Sequence, residues 1–397
     1  MCHGGGVAPK ITRIESVEFS YPIEDVGTDD NGFNLVYEPG AVTERKLFAL
    51  SIHTDEGITG EYVGGNSPAA AQINLIGEYL VGRNPLKRER HWSELKRALR
   101  KYDRMGIGPV DIALWDYAGK RYGAPIHELL GTYRTEFPAY ASTYHGDEHG
   151  GLDSPEAYAE FAAQCRDMGY PALKIHGWGG SDAWRDLDRE IATVHAVGDR
   201  VGDELDLMHD PACELETFAD ALALGRALDE EGFFWYEDPY RDGGTSQHAH
   251  RKLRKKLDTP ILQTEHVRGL EPATDFAATE STDFVRADPE YDGGITGATK
   301  RARVAEGLGL DVEFHAPGPA QRHCVAATRN TNYYELALVH PDCPNTQPPV
   351  YEGDYSDMLD TVDADGRVSV PDGPGLGVDY DWDYIEASRT GSRHVYE

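Results

Sequence analysis

The sequence predicts an α/β protein in which a small α+β domain precedes a parallel (β/α) barrel and a C-terminal segment returns to the first domain. The chain has 397 residues and is 40% hydrophobic, which is long for one ordinary domain and sufficient for a large core. Strands precede helices up to about residue 130, whereas strands and helices alternate from FPAYAST (137–143) onward. The predicted units are the first domain (1–134), the barrel (135–345) and the C-terminal segment (346–397).

The first domain begins with strands. Residues 11–20 alternate like a strand, and KLFALSIHT and ITGEYVGG form a predicted hairpin across Asp55-Glu56-Gly57. Between the first strand and this hairpin, residues 21–42 are polar and contain glycines. This composition predicts a long loop, of the kind that is usually functional or mobile. Helical patterns follow, and they predict helices at 69–81, 89–102 and 109–123.

Eight strand-like runs alternate with helical stretches in the second domain. Segments such as SPEAYAEFAAQCRDMG carry Ser or Thr near an acid at their start, which is a helix N-terminal signal. Eight strands separated by helices indicate a parallel sheet, and their number favours a barrel. The runs are FPAYAST, ALKIHGW, LDLMHD, FFWYED, PILQTEH, DFVRAD, LDVEFHA and YYELALV.

The charge of the chain excludes several classes of partner. A net charge of −31 opposes binding to nucleic acid and to anionic membranes, since both repel an acidic surface. Lysine is also rare, with 11 Lys against 27 Arg. An acidic, lysine-poor surface is expected of a protein from a high-salt cytoplasm, where counterions screen self-repulsion. We therefore expect a halophilic source.

The sequence shows no evident transmembrane or secretory targeting segment. No apolar run reaches the length of a transmembrane helix, and MCHGGGVAPKITRIES lacks the apolar region of a signal peptide. The five cysteines are scattered, which argues against a disulfide framework and against a zinc module. The predicted location is the cytoplasm.

Three carboxylates end three successive strand-like runs. Asp210, Glu237 and Glu265 lie at or near the ends of LDLMHD, FFWYED and ILQTEH and are 27 and 28 residues apart, about the length of one βα unit. Because the carboxyl ends of parallel strands open onto one face of a barrel, we expect the three side chains to converge. Three hard oxygen donors with open positions suit one Mg²⁺ ion.

The other strands bring further titratable groups to the same rim. Lys174 and His176 are two residues apart, so their side chains share a face. Burial near a metal and another cation is expected to lower the pKa of Lys174, which makes either residue a candidate base. Asp288 and His315 end consecutive strands and form a predicted dyad in which the carboxylate orients the imidazole. Glu335 lies in the last strand.

Each of these residues also has a structural explanation. Carboxylates after strands often cap the next helix, and a buried Asp–His pair can simply join two strands. Asp238, His209 and His266 lie next to predicted ligands, where strand alternation directs them to the opposite face. Capping alone does not account for polar groups at the end of every strand.

Taken together, these motifs resemble the enolase superfamily and, within it, the mandelate racemase subgroup. The resemblance covers nearly the whole chain and implies a capping domain with substrate-specificity loops followed by a modified TIM barrel, (β/α)7β. The matching motifs are GPVDIALWDYAGKRYGAPIHELLG, KIH (Lys174, His176), HDP (Asp210), YEDP (Glu237), TEH (Glu265), ADPEYDGGIT (Asp288), EFHAPG (His315) and Glu335. Two positions depart from the pattern, since His176 stands where a second lysine is common and Ala212 where asparagine is common.

The resemblance implies an enolising mechanism. Mg²⁺ would bind a substrate carboxylate, a base would remove the α-proton, and the metal would stabilise the enediolate. The favoured activity is dehydration of a sugar acid, an aldonate or aldarate, to a 2-keto-3-deoxy acid, with His176 or Lys174 as base and His315 assisting departure of the 3-hydroxyl. The alternatives are racemisation or epimerisation of a 2-hydroxy acid, and a metal-binding barrel without activity that senses sugar acids. A homo-oligomer, from dimer to octamer, is also implied.

Overall fold

The N-terminal domain joins an antiparallel sheet to a layer of helices. The computed structural model describes residues 8–29, 32, 34–178, 186–344 and 346–397. The strands pair in the order β1–β2–β3, as the α+β prediction requires. The elements are β1 (Ile11–Thr28), β2 (Leu35–Thr54), β3 (Thr59–Gly64), α1 (Ser67–Leu80), α2 (Arg88–Ala98), α3 (Ile107–Tyr122) and α4 (Ile126–Leu130).

The prediction of a long loop over residues 21–42 is wrong. Strands β1 and β2 continue through this segment as a hairpin, in which Tyr21 pairs with Arg45 and Thr28 with Leu35. A bulge after Glu24 breaks the alternation of buried and exposed residues, and charged residues occupy the exposed face. Both effects hide the period-two pattern that predicts a strand.

Helix α3 joins the first domain to the barrel. It is buried along most of its length because it is covered by β3 on one side and by a barrel helix, α10 (Gly294–Leu308), on the other. Asp111 of α3 accepts hydrogen bonds from the backbone nitrogen and the hydroxyl of Thr296 in α10, at 2.8 and 2.7 Å. Gly123 ends α3 with φ 65°, a conformation that favours glycine.

The second domain is a (β/α)7β barrel, as predicted. Its strands run parallel in the order β10–β9–β8–β7–β6–β5–β4–β11, and contacts between β10 and β11 complete the circle. The strands are β4 (Glu136–Thr143), β5 (Ala172–His176), β6 (Asp206–Asp210), β7 (Trp235–Glu237), β8 (Ile261–Gln263), β9 (Phe284–Ala287), β10 (Asp311–Phe314) and β11 (Tyr334–Val339). Over the described residues, seven helices connect them: α5 (Pro155–Asp167), α6 (Leu187–Val201), α7 (Phe218–Glu231), α8 (Gln247–Arg254), α9 (Leu270–Ala278), α10 and α11 (Pro319–Ala326).

An apolar layer fills the barrel beneath its rim. Tyr140, Ala172, Met208, Trp235 and Leu262 come from five strands and are fully buried together. The polar groups at the carboxyl ends of the strands therefore lie above a packed apolar layer that excludes water. The low dielectric constant of this layer strengthens the electrostatic interactions among them.

The C-terminal segment returns to both domains. It contains β12 (Tyr351–Glu352), β13 (Arg367–Ser369), β14 (Asp379–Tyr380), α12 (Trp382–Ala387) and β15 (His394–Tyr396). Strand β13 pairs with β4 of the barrel, and β15 pairs with β1 of the first domain. Over the described residues, no helix has both the length and the apolar character needed to span a membrane.

Candidate active site

A cavity of about 660 Å³ lies between the barrel rim and the first domain. Of the eight site residues predicted from the sequence, six line it and two, Glu237 and Asp288, are buried behind its wall. The first domain covers the cavity with residues of β1, β2 and β3. The lining residues predicted from the sequence are Lys174, His176, Asp210, Glu265, His315 and Glu335.

Lys174 is held by carboxylates from three strands. Its Nζ lies 3.1 Å from Asp210, 3.0 Å from Glu237 and 3.1 Å from Glu335, and the side chain is only 1% exposed. Burial alone would lower the pKa of Lys174, but the charges of these carboxylates raise it well above the ordinary value. Without a cation at these carboxylates, the shift is thus opposite in sign to the one expected beside a metal, because neighbours distant in sequence surround the ammonium group.

His176 points into the cavity beside Lys174. Its Nδ1 lies 2.7 Å from the carbonyl oxygen of Thr143, which can only accept, so Nδ1 carries the proton. The other nitrogen, Nε2, lies 3.3 Å from Oδ2 of Asp210. Behind it, burial and the neighbouring His176 lower the pKa of His145 to about 3, so His145 stays neutral. Nε2 of His176 is thus the nitrogen available for proton transfer.

The predicted metal carboxylates share one electrostatic environment. Glu237 is fully buried, and its carboxylate accepts hydrogen bonds from Nε and Nη2 of Arg286 at 2.7 and 2.8 Å. Burial opposes ionisation of Asp210, but Lys174 and His176 hold its pKa well below the usual range. Glu265 lies beside His315, whose Nε2 is 3.4 Å away. Ala212, the departure from the resembling pattern, donates its backbone N–H to Oδ1 of Asp210 at 2.8 Å.

The prediction that Asp238 faces away from the site is wrong. Strand β7 ends at Glu237, and Asp238 has φ 37°, so strand alternation no longer sets its direction. It lines the cavity, and oxygens of Glu237, Asp238 and Glu265 come within 4.8 Å of one another. In the described part of the chain, Asp210 lies outside this group of close oxygens. His266, also assigned to the opposite face, lines the cavity as well, whereas His209 is fully buried beside Glu190 and is not among the lining residues.

This carboxylate group suits a divalent cation. Oδ1 of Asp238 is buried and has no hydrogen-bond partner among the described residues. Burial and the charges of Glu265, Glu237 and Asp210 raise the pKa of Asp238 well above its ordinary value. A hard cation would relieve both the repulsion and the missing contact, and oxygen donors of this kind are those that Mg²⁺ takes.

Asp288 and His315 form the predicted pair. His315 Nδ1 lies 2.6 Å from Asp288 Oδ2, and Asp288 Oδ1 accepts the backbone N–H of Glu290 at 2.6 Å. Burial alone would lower the pKa of His315, but the Glu265 charge and the Asp288 hydrogen bond raise it to about 10. His315 therefore carries a proton near neutral pH.

Arg286 is a site residue that the sequence analysis missed. It is fully buried on β9, grips Glu237 with two nitrogens, and has Nη2 3.6 Å from Glu335. Glu335 in turn accepts the backbone N–H of Ala316 at 2.8 Å, next to His315. Arg286 stands two residues before Asp288, so the strand period that directs Asp288 inward also directs Arg286 inward. This two-residue spacing in the sequence could have identified Arg286 as a site residue.

The first domain is tied to the barrel rim through Glu290. Its Oε1 accepts the hydroxyl of Tyr62 on β3 and the backbone N–H of Gly65 at 2.8 Å. Glu290 follows Asp288 by two residues, so this contact fixes the loop that carries the dyad. The first domain is consequently fixed over the side of the barrel mouth that carries Asp288.

Comparisons with known proteins agree with this architecture. The family model described as "Enolase C-terminal domain-like" matches residues 157–384. The model for the mandelate racemase / muconate lactonizing enzyme N-terminal domain matches residues 34–131. Together these matches span both domains and more than half of the chain.

Individual relatives are similar over nearly their full length. The chain is 28% identical over 385 residues to a D-galactonate dehydratase family member of Streptomyces bingchenggensis, covering 87% of this chain and 90% of that protein. It is 27% identical over 360 residues to D-galactarolactone cycloisomerase of Agrobacterium fabrum, covering 87% and 92%. Several other relatives are named dehydratases of sugar acids.

A solved structure gives the same result. The crystal structure of D-glucarate dehydratase from Agrobacterium tumefaciens complexed with magnesium superposes with a TM-score of 0.84 and 30% identity. The match covers 96% of this chain and 99% of that one. With both family models matched and the barrel, cap and rim in place, the chain belongs to the enolase superfamily, in its mandelate racemase / muconate lactonizing enzyme group.

Proposed function

We propose that this protein is a Mg²⁺-dependent hydro-lyase that converts a sugar acid, an aldonate or aldarate, to its 2-keto-3-deoxy acid. One observation carries the proposal. His176 on β5 and the Asp288–His315 pair after β9 and β10 flank one cavity lined by carboxylates, and three strands separate β5 from β9. In an eight-stranded barrel this places the two proton carriers on different sides of a substrate.

The carboxylates would hold the metal. We assign Asp210, Glu237 and Glu265 as ligands, as the sequence predicts, and the unpartnered Asp238 oxygen as a further donor to the site. When bound, Mg²⁺ supplies electrophilic stabilisation of the charge that develops on the substrate carboxylate. The structures of relatives that contain magnesium, such as the D-glucarate dehydratase, support this choice.

The side chains on β5 would carry out the first proton transfer. His176 removes the α-proton with Nε2, because Nδ1 already donates to Thr143. We assign Lys174 a different role, because its Nζ is held between three carboxylates at 3.0 to 3.1 Å. Its ammonium group instead offsets the charge of Asp210, Glu237 and Glu335 and keeps them in place.

The dyad would complete the elimination. His315 is protonated and donates its Nε2 proton to the 3-hydroxyl, so that the C3–O bond breaks and water leaves. The electron pair of the former α-C–H bond forms the C2–C3 double bond, and the resulting enol becomes the 2-keto acid. Asp288 holds the imidazole in the orientation that directs Nε2 toward the cavity.

A product assay tests the proposal. The purified protein with Mg²⁺ should convert members of a panel of C5 and C6 aldonates and aldarates to products that react with semicarbazide. His315→Asn and EDTA-treated protein serve as controls and should form no keto acid. α-Proton exchange with D₂O without keto product would instead indicate the racemase or epimerase. The panel includes D-galactarolactone, because one relative is named as its cycloisomerase.

A further inference from the structure

Arg45 is a cation in the cavity that has no counterion within the part of the chain that the structure describes. Three lining residues carry Lys or Arg side chains, namely Arg45, Lys46 and Lys174. Lys174 is bound by three carboxylates, and Lys46 is exposed. Arg45 is half-buried, and its guanidinium forms no ion pair or hydrogen bond with any other described residue.

The position of Arg45 on β2 directs it to the substrate side. It pairs with Tyr21 of β1, and cross-strand partners share a face of the hairpin. Tyr21 lines the cavity, as does Leu47, two residues after Arg45 on the same strand.

The hairpin that carries Arg45 is anchored to the C-terminal segment and to the barrel. The Tyr21 hydroxyl donates to the carbonyl oxygen of Thr346 at 2.7 Å. Tyr37, farther along β2, stacks on His340 after β11, with ring centroids 4.2 Å apart. One contact at the cross-strand partner of Arg45 and one farther along β2 therefore hold this part of the first domain over the barrel mouth.

We propose that Arg45 forms a second carboxylate subsite and that the substrate is consequently a sugar diacid, an aldarate. This inference rests on the function proposed above and identifies which class of sugar acid the site accepts. The guanidinium of Arg45 lies at the cavity wall without a counterion among the described residues, so its N–H donors are free for an anion that the ligand supplies. The planar fork of arginine matches a carboxylate in two hydrogen bonds.

The two ends of an aldarate would then have separate partners. The carboxylate next to the reacting carbon would lie at the cation site assigned to Asp210, Glu237, Glu265 and Asp238, and the distal one would lie at Arg45. An aldonate ends in a hydroxymethyl group, which leaves Arg45 unpaired. The preference of the site for aldarates over aldonates therefore depends on Arg45.

Matched pairs of ligands test the subsite. Affinities for galactarate and galactonate, and for glucarate and gluconate, are measured by titration calorimetry with Mg²⁺ present, and kcat/KM is measured wherever turnover occurs. The wild type should prefer the diacids. Arg45→Met should lower affinity and kcat/KM for the diacids by about ten- to a hundredfold, mainly through KM, and leave the monoacids unchanged. Arg45→Lys should retain part of the preference.

The control removes the same charge elsewhere. Arg90 is exposed on α2 and does not line the cavity, so Arg90→Met should change none of these values. Should Arg45→Met lose its native circular dichroism, Arg45→Lys carries the test through its reduced diacid preference. An equal effect of Arg45→Met on both classes, or a wild type without diacid preference, would overturn the inference.

The outcomes also separate this inference from the proposed function. Turnover of aldonates and aldarates at equal efficiency refutes the role of Arg45 and leaves the dehydratase assignment intact. Binding of aldarates that depends on Arg45, without turnover of any acid sugar, refutes the dehydratase assignment and leaves the subsite intact.

Discussion

Nδ1 of His315 lies 2.6 Å from Oδ2 of Asp288, although the residues are 27 positions apart and follow different strands. Strands β9 and β10 are neighbours in parallel register, so their carboxyl ends bring the two side chains together. The carboxylate fixes the tautomer of the imidazole and favours its protonated form. The relationship accounts for the proposed role of His315 as the acid of the elimination.

Replacing Asp288 by Asn tests that relationship. The substitution keeps the size of the side chain and removes its charge, so the pKa of His315 should fall from the raised value of about 10. Because the proton-bearing form is the active one, activity should decline at lower pH than in the wild type, and kcat should fall about 10²- to 10⁴-fold. Profiles of kcat against pH measure both effects. Asp203→Asn, at an exposed position, is the control, and an unchanged alkaline limb in Asp288→Asn contradicts the role.

The assignment of His176 as base predicts a specific loss. His176→Gln removes the group that accepts the α-proton, so exchange of that proton with D₂O, followed by NMR, should slow by about 10²- to 10⁴-fold. Binding of Mg²⁺ should persist, because the carboxylates remain. His195→Gln, on the surface of α6, should exchange at the wild-type rate. Continued fast exchange in His176→Gln would assign the base to another residue.

The barrel and its rim were predictable from the sequence because most of the apolar runs end at or next to a polar residue. The eight strands and the proximity of Asp288 to His315 follow from that pattern and from parallel topology. The hairpin over residues 21–42 was not predictable, because a bulge interrupts the strand period. Asp238 was misplaced because strand alternation stops where its φ becomes positive.

The electrostatics of the site depend on contacts that no local pattern records. The pKa of Lys174 is raised by carboxylates on β6, β7 and β11, which are between 36 and 161 residues away. Arg286 neutralises Glu237 from β9, 49 positions along the chain. Sequence spacing gives the face on which such groups lie, whereas the sign of a pKa shift requires the complete set of neighbours.

Buried Asp111 predicts a pH-dependent stability. Burial raises its pKa from 3.8 to about 7, a difference that corresponds to about 4 kcal/mol. Because the folded-state pKa lies above the unfolded one, its contribution is fully present below pH 4 and is lost as the pH rises through 7. Asp111→Asn keeps an acceptor for the backbone N–H of Thr296 and a donor for its hydroxyl. The free energy of unfolding of the variant, relative to the wild type, should therefore increase between pH 4 and pH 8 in denaturant titrations. A difference that is independent of pH contradicts this prediction.

Asp238 predicts a change in metal affinity. If its unpartnered oxygen belongs to the metal site, Asp238→Asn should weaken Mg²⁺ binding by about 10- to 100-fold, because a charged donor is replaced by a neutral one. Titration calorimetry of the metal-free protein measures the affinity directly. Glu230→Gln removes an acid whose side chain is 70% exposed and should have no effect. Equal Mg²⁺ affinity in Asp238→Asn and the wild type would exclude Asp238 from the site.

The acidic composition predicts that salt stabilises the fold. A net charge of −31 with only 11 lysines causes repulsion that acts over about 10 Å at 0.1 M salt and about 3 Å at 1 M. The melting temperature should therefore rise from dilute buffer to molar KCl, with Mg²⁺ held constant. Sucrose at the same osmolarity separates the two possible causes, since it is excluded from the surface but screens no charge. A larger rise in KCl than in sucrose supports adaptation to a high-salt cytoplasm, and equal stability in dilute buffer and KCl would falsify it.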